Sequence, residues 1–472
     1  MEERVLAREI FRELIETDTS PARGTTEAAE AVAERLLAAG FPAEDVRVLG
    51  PHPRKHNMVA RLRGTGARPP ILLLAHLDVV DARPDDWTVP PFQLTEQDGF
   101  FYGRGTLDDK AMCALWIAAL IRLRREAFAP DRDLVVALTA DEEGGEHNGA
   151  SWLVEHHREL VDAAFGMNEG GYGRIEGGRR VSNQIQASEK IPFPLRLEVA
   201  GRGGHSSLPA KDNAIERLTA GLARLAAHPF PLRITEAVRG FFARMAEGAG
   251  SDDMRLAAGL DIEAAARLAA NPYHAALMRT TCVPTRLEAG EADNAHPLSA
   301  RATLDCRILP GESPDEVLKT IAAVLGDPSI TITPLAEPRA APPSPLTPEI
   351  VGAVERVTGE LWPGVPVVPV MTIGATDSRH FRAAGIPMYG VSGIFLDVAD
   401  ARAHAPDERL GVEAFYEGGE FIYRLLEELA GESAGGAPRG DAPKSDVPRR
   451  SDGPRSDGPR SDGPRSDGPR SE

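Results

Sequence analysis

The first 430 residues alternate between stretches with two different hydrophobic patterns. Apolar residues recur at helical spacing in four stretches: 5–15, 26–39, 110–124 and 150–157. Strand-like runs lie between them, at 57–62, 71–74 and 133–139. The run at 71–74 is continuously apolar, which is typical of a strand covered on both faces. The alternation predicts an α/β fold, a mostly parallel sheet with helices on both faces.

The pattern changes in the middle of the chain. Residues 192–200 and 300–308 alternate between apolar and polar, as strands with one exposed face do, and helical stretches follow them at 213–227 and 314–325. We interpret this region as a smaller α+β unit inserted into the first domain. The expected division is a main domain at 1–189 and 337–430, interrupted by an inserted domain at 190–336. A chain of 472 residues is also too long for one hydrophobic core.

The C-terminal segment, 431–472, contains the pentapeptide SDGPR four times in succession. Its Pro, Gly, Ser and paired charges supply no apolar surface to bury. We therefore expect a disordered tail, and we assign it no function.

Composition excludes several classes of function. A formal net charge of −18 argues against a nucleic-acid partner, which would need clustered Lys and Arg. No apolar run approaches the roughly 20 residues of a membrane span, so we expect no membrane association. The first twenty residues are charged throughout and lack the features of a signal peptide, so a cytoplasmic location is expected.

The three cysteines, Cys113, Cys282 and Cys306, are far apart and form no CxxC pair. This spacing suggests neither a disulfide framework nor a thiolate metal site. We expect all three to be buried small hydrophobic residues.

Candidate chemistry collects at the ends of the predicted strands. Acidic and histidine side chains lie in four turns, AHLD, GRGTLDDK, TADEEGG and MNEGG, and a late histidine follows in ARAHAPDERL. Functional groups of open α/β sheets gather at the carboxyl ends of the strands. One such residue alone is more often a helix cap or a surface group. Four such turns in an otherwise apolar region are hard to explain in that way.

Imidazole and carboxylate are ligands that zinc accepts. Two histidines and three carboxylates suffice for two zinc ions if one carboxylate bridges them, as in aminopeptidases. Of two adjacent glutamates, one can bind metal while the other takes a proton from water. The residues therefore predict a metal-dependent hydrolase with a pair of zinc ions, for which cobalt or manganese could substitute.

The same motifs, with GRGGHSSLP and DCRILPGES, resemble the dizinc family of acetylornithine deacetylase, succinyl-diaminopimelate desuccinylase, aminoacylase and glutamate carboxypeptidase. The stretch IGATDSRHFRAAGIPMYG is most similar to the carboxypeptidase S-type branch of that family. The resemblance covers residues 5 to 430, in the family's order.

The resemblance implies a role for each site residue. His76, Asp108 and Glu169 would hold one zinc ion, and Asp108 would bridge to a second ion completed by Glu143 and His404. Glu142 would be the general base. Asp78 would hydrogen-bond to His76 and fix its tautomer. For Asp109, beside the bridging residue, the resemblance implies no definite role, and capping of the helix that follows is the structural alternative.

The inserted domain would be the family's lid and dimerisation domain. The resemblance implies that His205 reaches the active site of a partner subunit and stabilises the oxyanion there. Asn294 would lie near the substrate, and Arg379 would bind the substrate's carboxylate. We interpret the neighbouring His380 as a core residue. A homodimer is therefore expected.

The expected reaction is hydrolysis of an amide bond next to a free carboxylate, by a carboxypeptidase or dipeptidase acting on small peptides. Deacylation of N-acyl amino acids is the alternative within the enzyme class. A non-catalytic peptide-binding protein is the alternative outside it. Glu142 argues against a binding protein, which would not require a base beside its ligand.

Overall fold

The computed structural model describes residues 2–249, 251–339, 341–397 and 399–431. The SDGPR segment, predicted to be disordered, lies outside these residues. The strands are β1 Val46–His52, β2 Lys55–Leu62, β3 Ile71–His76, β4 Thr95–Gln97, β5 Phe100–Tyr102, β6 Leu134–Thr139, β7 Phe165–Asn168, β8 Gly173–Glu176, β9 Arg179–Glu189, β10 Ile191–Ala200, β11 Thr281–Ala289, β12 Ser299–Ile308, β13 Thr331–Pro334, β14 Val367–Thr372, β15 Met388–Gly390, β16 Phe395–Asp397 and β17 Arg409–Gly411.

The helices of the same residues are α1 Glu2–Glu16, α2 Thr26–Ala38, α3 Lys110–Arg125, α4 Gly149–His156, α5 Arg158–Val161, α6 Ala214–Ala226, α7 Glu236–Ala249, α8 Asp252–Ala258, α9 Ile262–Leu268, α10 Pro272–Met278, α11 Pro314–Leu325, α12 Pro348–Leu361, α13 Ser378–Ala383 and α14 Val412–Ala430. Each helix and strand predicted from periodicity is found at nearly the predicted bounds.

A large mixed sheet is formed by strands from both the first half and the last third of the chain. Its strand order is β1-β2-β6-β3-β7-β15-β9-β8-β16, with β14 pairing to β9. The central run from β6 through β3 and β7 to β15 is parallel. The predicted α/β fold with a mostly parallel sheet is confirmed in this central part, while β1 pairs antiparallel to β2 and β8 pairs antiparallel to β9.

Helices cover both faces of this sheet. Strand β3 shows why, because Ile71, Leu73 and Ala75 pack into one hydrophobic core, with α1, α3 and α14. Leu72 and Leu74 point the other way, into a second core with α4 and α13. A strand buried on both faces reads as a continuous apolar run, which explains the sequence ILLLA.

The inserted region contains a second sheet of four strands, in the order β11-β12-β10-β13. Helices α6 and α11 pack on one face of it, around Leu197, Leu218 and Ile321. Lys190 alone separates β9 of the large sheet from β10 of the small one. The domain boundaries at 189/190 and 336/337 remain a prediction.

Four helices between these strands, α7 to α10, were not predicted from the sequence. They pack on the large sheet, because Phe241 and Phe242 of α7 share a core with Val368 and Val370 of β14. Part of the predicted inserted domain therefore contacts the main sheet rather than its own.

The expectation of no disulfide is wrong for two of the three cysteines, although Cys306 is buried as predicted. Cys282 and Cys306 face each other on the antiparallel strands β11 and β12 and form a disulfide, with their Cα atoms 4.0 Å apart. The sequence separation hid this pairing, which depends on strand register. Cys113 is a free, buried thiol as predicted.

Within the described residues, every helix is too short or too polar to cross a membrane.

Candidate metal centre and active site

Three neighbouring parallel strands deliver candidate ligands to one edge of the large sheet. Strand β3 ends at His76, β7 is followed directly by Glu169, and β6 is followed by the turn that contains Glu142 and Glu143. Because β6, β3 and β7 are adjacent and parallel, their carboxyl ends meet at this edge. The sheet topology therefore places these side chains together.

Asp108 and His404 reach the same place from loops. Asp108 lies just before α3, and the peptide bond that joins it to Asp109 is cis. His404 lies in the loop before β17, with a φ of 65°.

The five predicted ligands converge around Asp108. Its Oδ1 lies 3.0 Å from His76 Nε2, and its Oδ2 lies 3.1 Å from His404 Nε2. His404 Nε2 is also 2.9 Å from Glu143 Oε1, and His76 Nε2 is 3.9 Å from Glu169 Oε1. The two oxygens of one carboxylate thus face two different histidines, each with a second carboxylate beside it.

This arrangement fits a pair of divalent cations. His76, Asp108 and Glu143 offer ligand atoms within 4.8 Å of one another, as do His76, Asp109 and Glu169. Three or more carboxylates packed this closely repel one another unless cations neutralise them. The donor set of imidazole nitrogen and carboxylate oxygen suits zinc and its neighbours among the transition metals.

The protonation of the histidines reflects the same crowding. Hydrogen bonds that the His404 ring donates to the carboxylates of Asp108 and Glu143 raise its pKa to about 10. Burial opposes protonation of His76, but its hydrogen bond to Asp108 and the charges of Glu169 and Asp78 raise its pKa well above the usual value. Protons on these rings occupy the positions where cations would bind.

The predicted hydrogen bond between the Asp78 carboxylate and His76 is wrong. The His76 Nδ1 atom is 2.9 Å from the backbone carbonyl oxygen of Asp78, whereas the carboxylate lies 3.7 Å away. The carboxylate instead accepts the backbone N–H groups of Glu142, at 3.1 Å, and Glu143, at 3.0 Å. Through these two hydrogen bonds, the Asp78 carboxylate holds the turn that carries Glu142.

Glu142 is only partly exposed, and burial raises the pKa of its carboxyl well above the usual range. The charges of His76 and Arg379 lower this pKa, whereas the charges of Asp377 and Asp78 raise it further. A carboxylate with a raised pKa beside a metal centre is suited to accept a proton near neutral pH.

The turn that carries Glu142 is held from two further sides by residues to which the sequence analysis assigned no role. Asp141, with a φ of 54°, forms a buried ion pair with Lys55, whose Nζ lies 2.5 Å from Oδ1. Gly145 has a φ of 134°, and a Cβ there would lie 2.3 Å from Asp141 Oδ2, so the turn requires glycine.

Asp377 is the second unpredicted support. Its buried carboxylate accepts hydrogen bonds from Thr139 Oγ1 and Asn148 Nδ2, both at 2.7 Å. It thereby joins the end of β6 to the segment that carries Arg379. Its position two residues before Arg379 was the only signal of this role in the sequence.

Arg379 is half-buried, and its Nε donates to His380 Nε2 at 3.2 Å. Its positive charge lowers the pKa of Glu142. His380 is buried, and burial lowers its pKa to about 4, so the ring is neutral at ordinary pH. A neutral buried histidine agrees with the interpretation of His380 as a core residue.

Asp109 occupies the N-cap position of α3, but its side chain makes no capping hydrogen bond. Both carboxylate oxygens are buried without a hydrogen-bond partner among the described residues, and burial raises the pKa of the group. A capping role for this side chain is therefore wrong.

His205 and Asn294 lie together in the region predicted to be the inserted domain. His205 is exposed, and its Nδ1 contacts Ser207 Oγ at 2.8 Å. Its backbone forms an isolated antiparallel β-bridge with Ala295. The backbone carbonyl of Asn294 accepts the N–H of Ser206 at 2.9 Å. Among the described residues, no contact links His205 or Asn294 to the metal ligands or Glu142.

The chain is similar in sequence to a known protein family and to individual known proteins. The family model "Peptidase family M20/M25/M40" matches residues 72–428. The N-fatty-acyl-amino acid synthase/hydrolase of Xenopus tropicalis is 31% identical over 371 residues, which are 76% of this chain and 72% of the relative. A probable carboxypeptidase S-like protein of Dictyostelium discoideum is 29% identical over 372 residues, covering 76% and 71% of the two chains. Human aminoacylase-1 is 26% identical, covering 76% and 80%.

Solved structures share the fold. An M20 family metallo-carboxypeptidase from Sulfolobus solfataricus superposes with a TM-score of 0.67 at 18% identity, covering 90% of this chain and 99% of the other. Human carnosine dipeptidase 1 superposes with a TM-score of 0.66 at 14% identity, covering 91% and 96%.

Proposed function

The chain belongs to peptidase family M20/M25/M40 and is a metal-dependent amide hydrolase, and on that premise we propose that it cuts an amide bond next to a free carboxylate. Carboxypeptidase or dipeptidase activity on small peptides is the first candidate. The observation that carries the proposal is the position of the Asp108 carboxylate, which has one oxygen beside His76 and the other beside His404.

A pair of zinc ions held by His76, Asp108, Glu169, Glu143 and His404 would supply Lewis acidity and lower the pKa of the attacking water. Zinc fits these imidazole and carboxylate donors, and cobalt or manganese could take its place.

Glu142 takes the proton of the attacking water and later passes it to the leaving amine. Its carboxylate is held in place because Asp78 accepts the N–H groups of Glu142 and Glu143. The catalytic step therefore depends on a turn fixed through its backbone.

Arg379 binds the carboxylate of the substrate, because a guanidinium can donate two parallel hydrogen bonds to it. Its single hydrogen bond to His380 leaves most of its donors available. Asn294 lies beside the His205 segment and would lie near the substrate together with His205.

A second candidate, deacylation of N-acyl amino acids, is supported by the relatives. Those from Xenopus tropicalis and Homo sapiens, 31% and 30% identical, are named N-fatty-acyl-amino acid synthase/hydrolase. Both candidates share a free carboxylate next to the cleaved bond and differ in the group on the other side.

We propose that the protein works as a homodimer through the inserted domain. His205 is exposed and has no contact with the ligands of its own chain among the described residues. Stabilisation of the oxyanion by His205 would therefore require a second copy.

The proposed cytoplasmic location rests on the sequence, and the Cys282–Cys306 disulfide weighs against it. Disulfides persist in oxidising compartments and are rare in the cytosol. Trapping of free thiols in the native host, followed by mass spectrometry, tests the location, since reduced cysteines support a cytoplasmic protein.

The function is tested by incubating metal-free and zinc-loaded protein with dipeptides, C-terminally amidated dipeptides and N-acyl amino acids. Zinc-dependent release of amino acids only from substrates with a free carboxylate supports the proposal. Zinc-loaded protein that binds these compounds without cleaving them would instead indicate a binding protein.

A further inference from the structure

Glu408 has a buried carboxylate that is neither a predicted metal ligand nor the proposed general base. It is fully buried and lies four residues after His404. Its Oε1 accepts the backbone N–H groups of Leu107, at 2.7 Å, and Asp108, at 3.0 Å. Its Oε2 accepts the N–H of Gly105 at 3.2 Å. One side chain of the His404 segment thus binds three backbone groups of the Asp108 segment.

Arg104 completes this arrangement. Its Nη1 lies 2.5 Å from Glu408 Oε2, and both side chains are almost fully buried. Its Nη2 donates to the backbone carbonyl of His404 at 3.3 Å. Arg104 therefore binds the His404 segment at two points, one of them on the histidine itself.

The backbone continues the same connection. Strands β5 and β17 are antiparallel partners, and the Gly103 N–H donates to the Glu408 carbonyl at 3.1 Å just beyond the paired residues. Beyond these paired strands, the two segments that contain Asp108 and His404 lie side by side. The strand pair sets their direction, and the Glu408–Arg104 pair fixes their separation.

We propose that Glu408, together with Arg104, is a positioning residue that sets the distance between Asp108 and His404 and thereby forms the site of the second cation. This inference rests on the proposed function, which assigns Asp108 and His404 as metal ligands. The pair is neutral overall, so it orders the ligands without adding net charge to a site already rich in carboxylates.

The two cation positions depend on this pair to different degrees. His76 ends a central strand and Glu169 follows its neighbour, so the sheet itself holds them. His404 lies on a loop, and its side chain is 53% exposed. We therefore expect loss of the pair to weaken the site that contains His404 more than the site that contains His76 and Glu169.

The test is a competitive zinc titration of metal-free protein against a chromophoric chelator, with far-UV circular dichroism as the check on folding. Glu408→Gln keeps the shape of the side chain but turns an NH₂ group toward backbone donors. We expect the weaker of two binding steps to lose about 10–100-fold in affinity, as loss of groups that orient ligands typically does, and the tighter step to stay within about threefold.

Asp131→Asn is the matched control. Asp131 is also buried and accepts two hydrogen bonds from one arginine, Arg68, at 2.6 and 2.8 Å. It contacts none of the predicted ligands among the described residues, so both binding steps should be retained in this variant.

A folded Glu408→Gln protein with both steps unchanged, or with both weakened equally, overturns the inference. If that variant does not fold, Arg104→Lys takes its place, because it removes the donor to the His404 carbonyl, and the same selective loss is expected. Wild-type protein that binds fewer than two ions contradicts the proposed function itself. Two ions in the wild type with no selective loss contradict only the role of Glu408.

Discussion

The carboxylate of Asp78 accepts the backbone N–H of Glu142 at 3.1 Å, and so it holds the candidate base through the chain rather than through a side chain. Burial raises the pKa of Asp78 to about 6, although these backbone hydrogen bonds lower it. Asp78, two residues after the predicted ligand His76 at the end of β3, thereby orients the turn that follows β6.

Replacement of Glu142 by Gln should leave the metal site intact and remove most of the hydrolysis. An amide cannot accept the proton of water, and general bases typically contribute about 10²–10⁴-fold to the rate. Zinc content measured by atomic absorption should stay at the wild-type value while kcat falls by that factor. Glu146→Gln, an exposed change on the same turn, is the control and should keep full activity. Normal turnover by Glu142→Gln would mean that another group is the base.

Replacement of Asp78 by Asn should lower kcat while KM stays nearly unchanged. The amide retains one acceptor oxygen, so one of the two N–H groups of Glu142 and Glu143 loses its partner. We expect a loss of about 10–100-fold, typical of groups that orient a metal site. Steady-state kinetics with Asp81→Asn, an exposed change three residues away, provide the comparison. Equal kinetics for the two variants would remove Asp78 from the mechanism.

Replacement of Arg379 by Met should raise KM for substrates with a free carboxylate. A charged bidentate contact is lost, and hydrogen bonds to charged groups contribute about 1.5–3 kcal/mol, or roughly 10–100-fold in KM. C-terminally amidated substrates, cleaved poorly by the wild type, should be unaffected by the change. If both kinds of substrate lose activity to the same extent, Arg379 does not bind the carboxylate.

Metal affinity should rise with pH up to about pH 10. The pKa of His404 is raised to about 10 in the metal-free protein, so below that pH a cation must displace a proton from the ring. Each displaced proton changes the apparent affinity by about tenfold per pH unit. Calorimetry in buffers of different ionisation enthalpy should detect proton release at pH 7. Zinc binding at pH 7 without proton release would contradict this account of His404.

Much of the site could be predicted because strand ends and ligands coincide in the sequence. His76 and Glu169 directly follow or end apolar runs, and parallel strands bring such positions to one edge whatever the details of packing. The convergence of Asp108 and His404 required the family resemblance, because both reach the site on loops.

The remainder depended on tertiary structure. The Cys282–Cys306 disulfide follows from the register of β11 on β12, which no spacing in the sequence specifies. The His76 ring contacts the backbone carbonyl of Asp78, and a side-chain pattern cannot reveal a backbone partner.

The pair of cations around Asp108 is tested most directly by anomalous diffraction from crystals of the zinc-loaded protein. The account predicts two peaks about 3.5–4 Å apart, one near each oxygen of Asp108, one also near His76 and the other near His404. A single peak, or peaks that do not contact Asp108, would contradict it.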